Sequence, residues 1–403
     1  MSWDDPRRAT PDYTASAGVT GRAPAAASAP AQPVGMTPAR ARGRTGGVLL
    51  GVVGVVLAGL AVLAVAAYLL SGLGAVAFAV AGVMALVPLA IVFAGVRWVD
   101  RWEPEPLLPV LFAFLWGAGV SVLIALVVGA EIDRVLAVAG TRGPLTDFLA
   151  VAVQAPIVEE AGKGLGLLLV LWVGRRHFDG PVDGIVYAAW VAGGFAFTEN
   201  ILYFGSSLLD GSTAGQVFQT FVVRGLMSPF AHVLFTSAIG IALGLAARRT
   251  GRLGAIGYLV VGLLPAIALH ALWNGALFFV SDFFGYYVLV QVPIFVGVIL
   301  LVRFLRRQET RITFDRLSEY AAAGWFDAAE LPALATPRGR RQAMAWAGTT
   351  GREGAMRRYI RDATRLAFAR QRIITGRDTA AAVADEAGLL DAVVAARRSL
   401  TGR

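Results

Sequence analysis

Eight apolar runs, each long enough to cross a bilayer, constrain this chain more than any other feature. They fall at 48–70, 74–96, 107–130, 148–173, 183–204, 217–247, 253–280 and 286–305. A helix needs about 20 predominantly apolar residues to span the hydrocarbon core. No water reaches the backbone there, so such segments satisfy it internally as helices. The expected fold is all-α: a polytopic membrane helical bundle of about eight transmembrane helices. The sixth and seventh runs exceed the required length, so they tilt or their ends protrude.

Composition excludes several classes. Of 403 residues 57% are hydrophobic and 16% charged, and there is no Cys. Disulfides, thiolate metal sites and thiol nucleophiles are therefore ruled out. The net charge of +9 does not point to nucleic acid, because the Arg residues lie mainly beside the apolar runs and in the C-terminal part. Arg40, Arg42 and Arg44 precede the first run. Arg97 and Arg101 lie between the second and third, and Arg175 and Arg176 between the fourth and fifth. Arg248, Arg249 and Arg252 follow the sixth, and Arg303, Arg306 and Arg307 close the eighth. The alternate loops hold only Arg134 and Arg142. By the positive-inside rule both termini are cytoplasmic.

Residues 1–47 are rich in Ala, Pro, Gly, Ser and Thr and lack apolar periodicity. They read as a disordered cytosolic N-terminal tail. Residues 48–305 form the expected membrane bundle, with 306–403 a cytosolic α-helical tail. Within that tail, 357–374 alternates Arg with Tyr359, Ile360, Leu366 and Phe368. Such helices suit an anionic lipid surface or a partner protein.

The fourth run carries Glu159, Glu160 and Lys163 near its middle, and Lys163 is the only Lys in the chain. A charge at mid-membrane costs roughly 2.5–3.5 kcal/mol on insertion scales, so it marks a functional site by default. On a helix Lys163 lies about 40° from Glu159 and about 60° from Glu160, so all three share one face. One negative charge is left over, to be balanced by a proton, a metal or another base. Pro156 loosens the helix one turn earlier, and Gly162, Gly164 and Gly166 reduce its bulk. Further polar groups sit in later runs: Glu199 with Asn200, Arg224, His232, and His270 with Asn274 one turn on. Two of the three His therefore lie at membrane depth. Two imidazoles plus a carboxylate suit zinc with one position open to water, and a second carboxylate suits a general base. Shared protons would balance the charge equally well.

Those residues fall in a familiar order. EEAGK at 159–163 resembles the EExxK motif of PrsW-type intramembrane proteases, and GGFAFTEN at 193–200 resembles their FxxxEN motif. RGLMSPFAH at 224–232 and HALWN at 270–274 resemble the third and fourth motifs. DRWEPEP at 100–106 and DGIVYA at 183–188 are similar to flanking family sequence. The resemblance covers roughly 75–300. It implies kinship with the CAAX-protease and Abi-like clan, a helical bundle around a polar cavity, and a bacterial cell-membrane location. It implies cleavage of a membrane-anchored, anti-sigma-factor-like substrate by glutamate-activated water. Glu199 stands where CAAX-type relatives have His, which leaves His232, His270 and Glu199 (or Glu160) as the zinc set. The expected catalytic residues are Glu159, Glu160, Lys163 and Asn274, the last as oxyanion donor. Taken without the resemblance, the residues also suit an ion- or proton-coupled transporter, or a membrane scaffold whose tail binds a partner.

Overall fold

The computed structural model describes residues 42–401 apart from 102–103, 142, 176–177 and 377–378. Most of the expected disordered tail, with Arg40, Arg142, Arg176 and His177, lies outside the described residues. Helix already begins at Arg42, inside the segment read as disordered. No strand occurs among the described residues.

The first helix, α1 (Arg42–Val99), is 58 residues long, but Gly74 inside it has φ 73° and ψ 164°. Glycine populates that region without a Cβ penalty. The chain doubles back there. Gly51 meets Leu108 and Gly119 meets Val62 before the break, and Leu73 packs on Gly205 at it. Val92 then returns to Gly193, and Trp98 reaches Arg306. Counted by length and composition, six described helices could cross a membrane, not eight. The difference has two sources. The first two runs merge across Gly74, and the fourth run carries three ionisable groups that such a count rejects.

The remaining membrane helices are α2 (Leu107–Leu115), α3 (Val122–Val138), α4 (Pro144–Leu149), α5 (Ala155–Val173), α6 (Pro181–Leu209), α7 (Ala214–Phe221), α8 (Ala231–Arg249), α9 (Arg252–Phe279), α10 (Phe283–Tyr286) and α11 (Val292–Ala322). Most of α6 is buried. It packs against α8 where Gly184 meets Gly240: a Cβ on Gly184 would lie 2.0 Å from the Gly240 carbonyl oxygen. Close backbone approach of this kind is how membrane helices gain packing without a hydrophobic driving force. Around it, Leu167 and Leu171 of α5 share a core with Val191, Ile239 and Leu243.

Among the described residues four π-helical turns interrupt the bundle, at Trp116–Ser121, Ala150–Gln154, Val222–Met227 and Tyr287–Gln291. A π-turn disturbs the i to i−4 ladder and often marks a functional region. In three of them a side chain from another helix bonds a backbone carbonyl. Thr198 donates to Ala118 O at 2.9 Å, Asn274 to Val151 O at 3.0 Å and Tyr287 to Met227 O at 2.6 Å.

The boundary expected at 305 falls inside α11, which continues to Ala322. Beyond it come α12 (Leu331–Ala335), α13 (Pro337–Thr349), α14 (Glu353–Ile374) and α15 (Thr379–Thr401). Pro332 and Pro337 sit in first turns, where a missing N–H costs nothing. Tyr359, Ile360 and Leu366 of α14 are buried with Leu317, Leu334 and Val393. The apolar face of that Arg-rich helix is thus used by the tail's own core and is not offered to lipid.

The link from α1 to α2 turns on Asp100, whose Oδ2 accepts from the Glu105 N–H at 3.2 Å. Burial raises the Asp100 carboxyl from 3.8 to about 7, against the lowering effects of that bond and of Arg306. The folded state therefore holds this proton more tightly than the unfolded chain does. Its contribution to stability falls as pH rises from about 4 to about 7 and then stays flat. Asp100→Asn keeps an acceptor but cannot ionise. Its melting temperature, relative to the parent's, should rise across that interval; an unchanged difference would reject the buried proton.

Candidate active site

Glu159, Glu160 and Lys163 lie on one face of α5 as the spacing requires, and interhelical contacts then separate their roles. Lys163 is fully buried. Its Nζ donates to Glu160 Oε1 at 2.8 Å and to Glu159 Oε2 at 3.3 Å. It also lies 3.9 Å from the Phe195 ring centroid and 3.2 Å from His232 Nδ1. An ammonium only donates, so His232 Nδ1 accepts and the ring proton sits on Nε2. That nitrogen is 2.7 Å from Glu199 Oε2.

Glu160 is 0% exposed and both of its oxygens are used. Oε1 faces Lys163 and His270 Nδ1, the latter at 3.1 Å, and Oε2 accepts from Thr236 Oγ1 at 2.8 Å. Glu159 is 8% exposed. Only its Oε2 faces partners, Lys163 and, at 3.8 Å, His270 Nε2. His270 gives its Nδ1 proton to Glu160, so its Nε2 lone pair points toward Glu159. A carboxylate holding the far nitrogen in this way orients an imidazole as a ligand or base. The ring is fixed further by stacking on Phe235 at 4.8 Å.

Glu199 sits elsewhere in the network. Besides His232 it pairs with Arg224 at 2.7 Å. Arg224 also donates to Asn200 Oδ1 at 3.4 Å and covers the Tyr203 ring at 3.6 Å. With Arg224 facing the site, the three Glu, Lys163 and Arg224 leave one net negative charge. One proton suffices to balance it. A cavity of about 20 Å³ opens beside His232, lined by Asn200, Arg224, Pro229 and Trp273. That is room for about one water.

Among the described residues, the group with ligand atoms within metal-binding reach is Glu159, His232 and His270, all within 4.8 Å of one another. The expected set had Glu199 in place of Glu159. Asn274 lies one turn from His270, but one amide hydrogen is spent on Val151 O. Reading residue by residue left Thr236 unnoticed, since one Thr on an apolar helix carries no signal. It also left Glu105 and Tyr187 unconnected. Tyr187 O–H donates to Glu105 Oε2 at 2.7 Å and so ties the 100–106 stretch to the 183–188 stretch.

A membrane-embedded helical bundle that buries paired carboxylates, two imidazoles and a lysine, with a water-sized cavity beside one imidazole, has the makings of an intramembrane hydrolase. Comparison with known proteins makes that specific. Residues 105–298 match the PrsW family of intramembrane metalloproteases. The chain is 29% identical over 192 residues to Protease PrsW of Clostridioides difficile (strain 630), which covers 47% of this chain and 76% of the relative. It is 34% identical over 146 residues to Protease PrsW of Geobacillus kaustophilus (strain HTA426), covering 36% and 57%. It is 28% identical over 187 residues to Protease PrsW of Bacillus subtilis (strain 168), covering 46% and 78%. No solved structure matches. The stretch 105–298 is thus similar to the PrsW-type intramembrane proteases, and it holds every residue of the network around Glu159 and Lys163.

Proposed function

We propose that the chain is an endopeptidase of a membrane-anchored protein in the bacterial cell membrane, and that Glu159 activates the hydrolytic water. One observation carries this. Of the two adjacent carboxylates, Glu159 keeps one oxygen without a bond among the described residues and retains some exposure. Glu160 has neither. Glu159 takes a proton from water and returns it to the departing amine. Glu160 positions Lys163 and His270. Asn274 offers its second amide hydrogen to the developing oxyanion, where one such donor is worth roughly 10²–10³ in rate. An anti-sigma-factor-like substrate is what the family resemblance implies. With both termini cytoplasmic, Glu199 and Asn200 lie toward the outer side of Lys163, so the cavity beside His232 opens outward.

A metal fits the donor chemistry of Glu159, His232 and His270, and those three would hold it. Bound there, zinc would polarise the peptide carbonyl and lower the pKa of water. The His270 Nε2 lone pair is already oriented for that role. His232 is not, because Lys163 occupies Nδ1 and Glu199 lies against Nε2. The expected result is therefore that cleavage of a reconstituted membrane substrate survives chelation. Activity lost on chelation and restored by zinc, with about one zinc per chain in purified protein, would assign the three residues to metal instead.

A further inference from the structure

At the end of the bundle where α1 finishes and α6 begins, a cavity of about 340 Å³ opens between the membrane helices and the C-terminal helices. It shares no lining residue with the network around Glu159 or with the cavity beside His232. Six Arg line it: Arg101, Arg303, Arg306, Arg307, Arg340 and Arg341. Three carboxylates oppose them, and each is engaged. Glu309 lies 3.3 Å from Arg248. Asp183 accepts from the Asp179 N–H at 2.9 Å, and Asp100 from the Glu105 N–H at 3.2 Å.

Two of the Arg residues serve as walls. Arg306 donates to Trp98 O at 3.2 Å and lies over its ring at 5.2 Å. Arg340 is buried and bonds Leu334 O at 2.7 Å and Thr364 Oγ1 at 2.8 Å. Arg303, Arg307 and Arg341 are exposed and pair with no carboxylate among the described residues. Arg303 and Arg307 come from α11 just past its apolar part, and Arg341 comes from α13. The unneutralised charge thus converges from both sides of the cavity. Trp98 and the ends of two apolar runs set its level at the edge of the hydrocarbon, where Trp side chains and lipid headgroups meet. Guanidinium forks match phosphate oxygens in pairs. The volume falls within the roughly 300–1,000 Å³ of small-ligand sites.

We propose that this cavity binds a phosphate group, carried by an anionic phospholipid headgroup or by a small soluble phosphate. The bound group bridges α11 and α13 and fastens the C-terminal helices to the bundle. This goes beyond the protease reading and does not depend on it.

The test uses the full chain and reads binding, not proteolysis. Protein is placed in nanodiscs of phosphatidylcholine with or without cardiolipin, and retained lipid is read by native mass spectrometry. In parallel, detergent-purified protein is titrated with inorganic phosphate and with glycerol 3-phosphate, followed by thermal shift. The variant is Arg303→Gln/Arg307→Gln/Arg341→Gln, all at exposed positions. At about tenfold or less per Arg, it should bind on the order of 100-fold more weakly than the parent. Arg341→Gln alone should weaken binding about 5-fold and keeps the test open should the triple variant not fold. Cardiolipin retained by the parent and lost by the variant supports the site with a lipid headgroup as its source. A phosphate shift lost in the variant, without cardiolipin retention, supports it with a soluble source. Absence of both, or equal binding by a folded variant, overturns it.

Discussion

Glu159→Gln is expected to abolish cleavage of a reconstituted membrane substrate while leaving the bundle folded. The loss expected from removing a positioned general base is roughly 10²–10⁴-fold. Gln has nearly the shape of Glu, and its carbonyl oxygen still accepts from Lys163. Glu159 has a contact at 3.3 Å to Lys163 and a longer one to His270, and no other bond among the described residues, so little of the fold depends on its charge. Glu160→Gln makes the informative comparison. Its carboxylate takes bonds from Lys163, Thr236 and His270, all in a dry interior. An amide there must turn its NH₂ toward one of these donors, so the variant should lose both activity and thermal stability. The measurement is cleavage rate beside melting temperature for each purified variant. A folded Glu159→Gln protein that still cuts at the parental rate would return the base to Glu160 or to a bound metal.

Lys163→Met should produce the largest loss of stability in the protein. Breaking a buried ion pair by removing one partner costs about 3–5 kcal/mol, because the remaining charge is stranded. Here two carboxylates lose their ammonium at once, and His232 loses the donor to Nδ1. The physical argument makes a second claim that simple loss of packing does not. If stranded charge is the cause, adding Glu160→Gln to Lys163→Met should recover part of the loss. Coupled neighbours of this kind show interaction energies of about 0.5–3 kcal/mol. Unfolding of the parent, both single variants and the double variant in detergent closes the cycle. Strictly additive losses would mean that Lys163 acts through its volume alone.

Some of this was fixed by local backbone geometry and is legible in the order of residues. Membrane-length apolar runs must be helices, since nothing else satisfies their backbone. A 3.6-residue turn puts Lys163 beside Glu159 and Glu160 whatever surrounds them, and it puts Asn274 one turn from His270. The break between the first two runs is expected at 71–73 from the sequence; that the chain turns at Gly74, with φ 73°, is a finding of the structure. What one helix offers another depends on rotation and depth, which its own sequence does not set. Glu159 and Glu160 are adjacent and chemically identical, yet Thr236 and His270 enclose one and leave the other with some exposure and, among the described residues, an unbonded oxygen. Glu199 has the chemistry of a metal ligand, but the approach of the Val222–Met227 turn gives it to Arg224 and His232. The fold of the C-terminal helices likewise decided that the apolar side of α14 faces its own core. Spacing within a helix is covalent and short-range; register between helices is settled only when the packed bundle balances its buried charges.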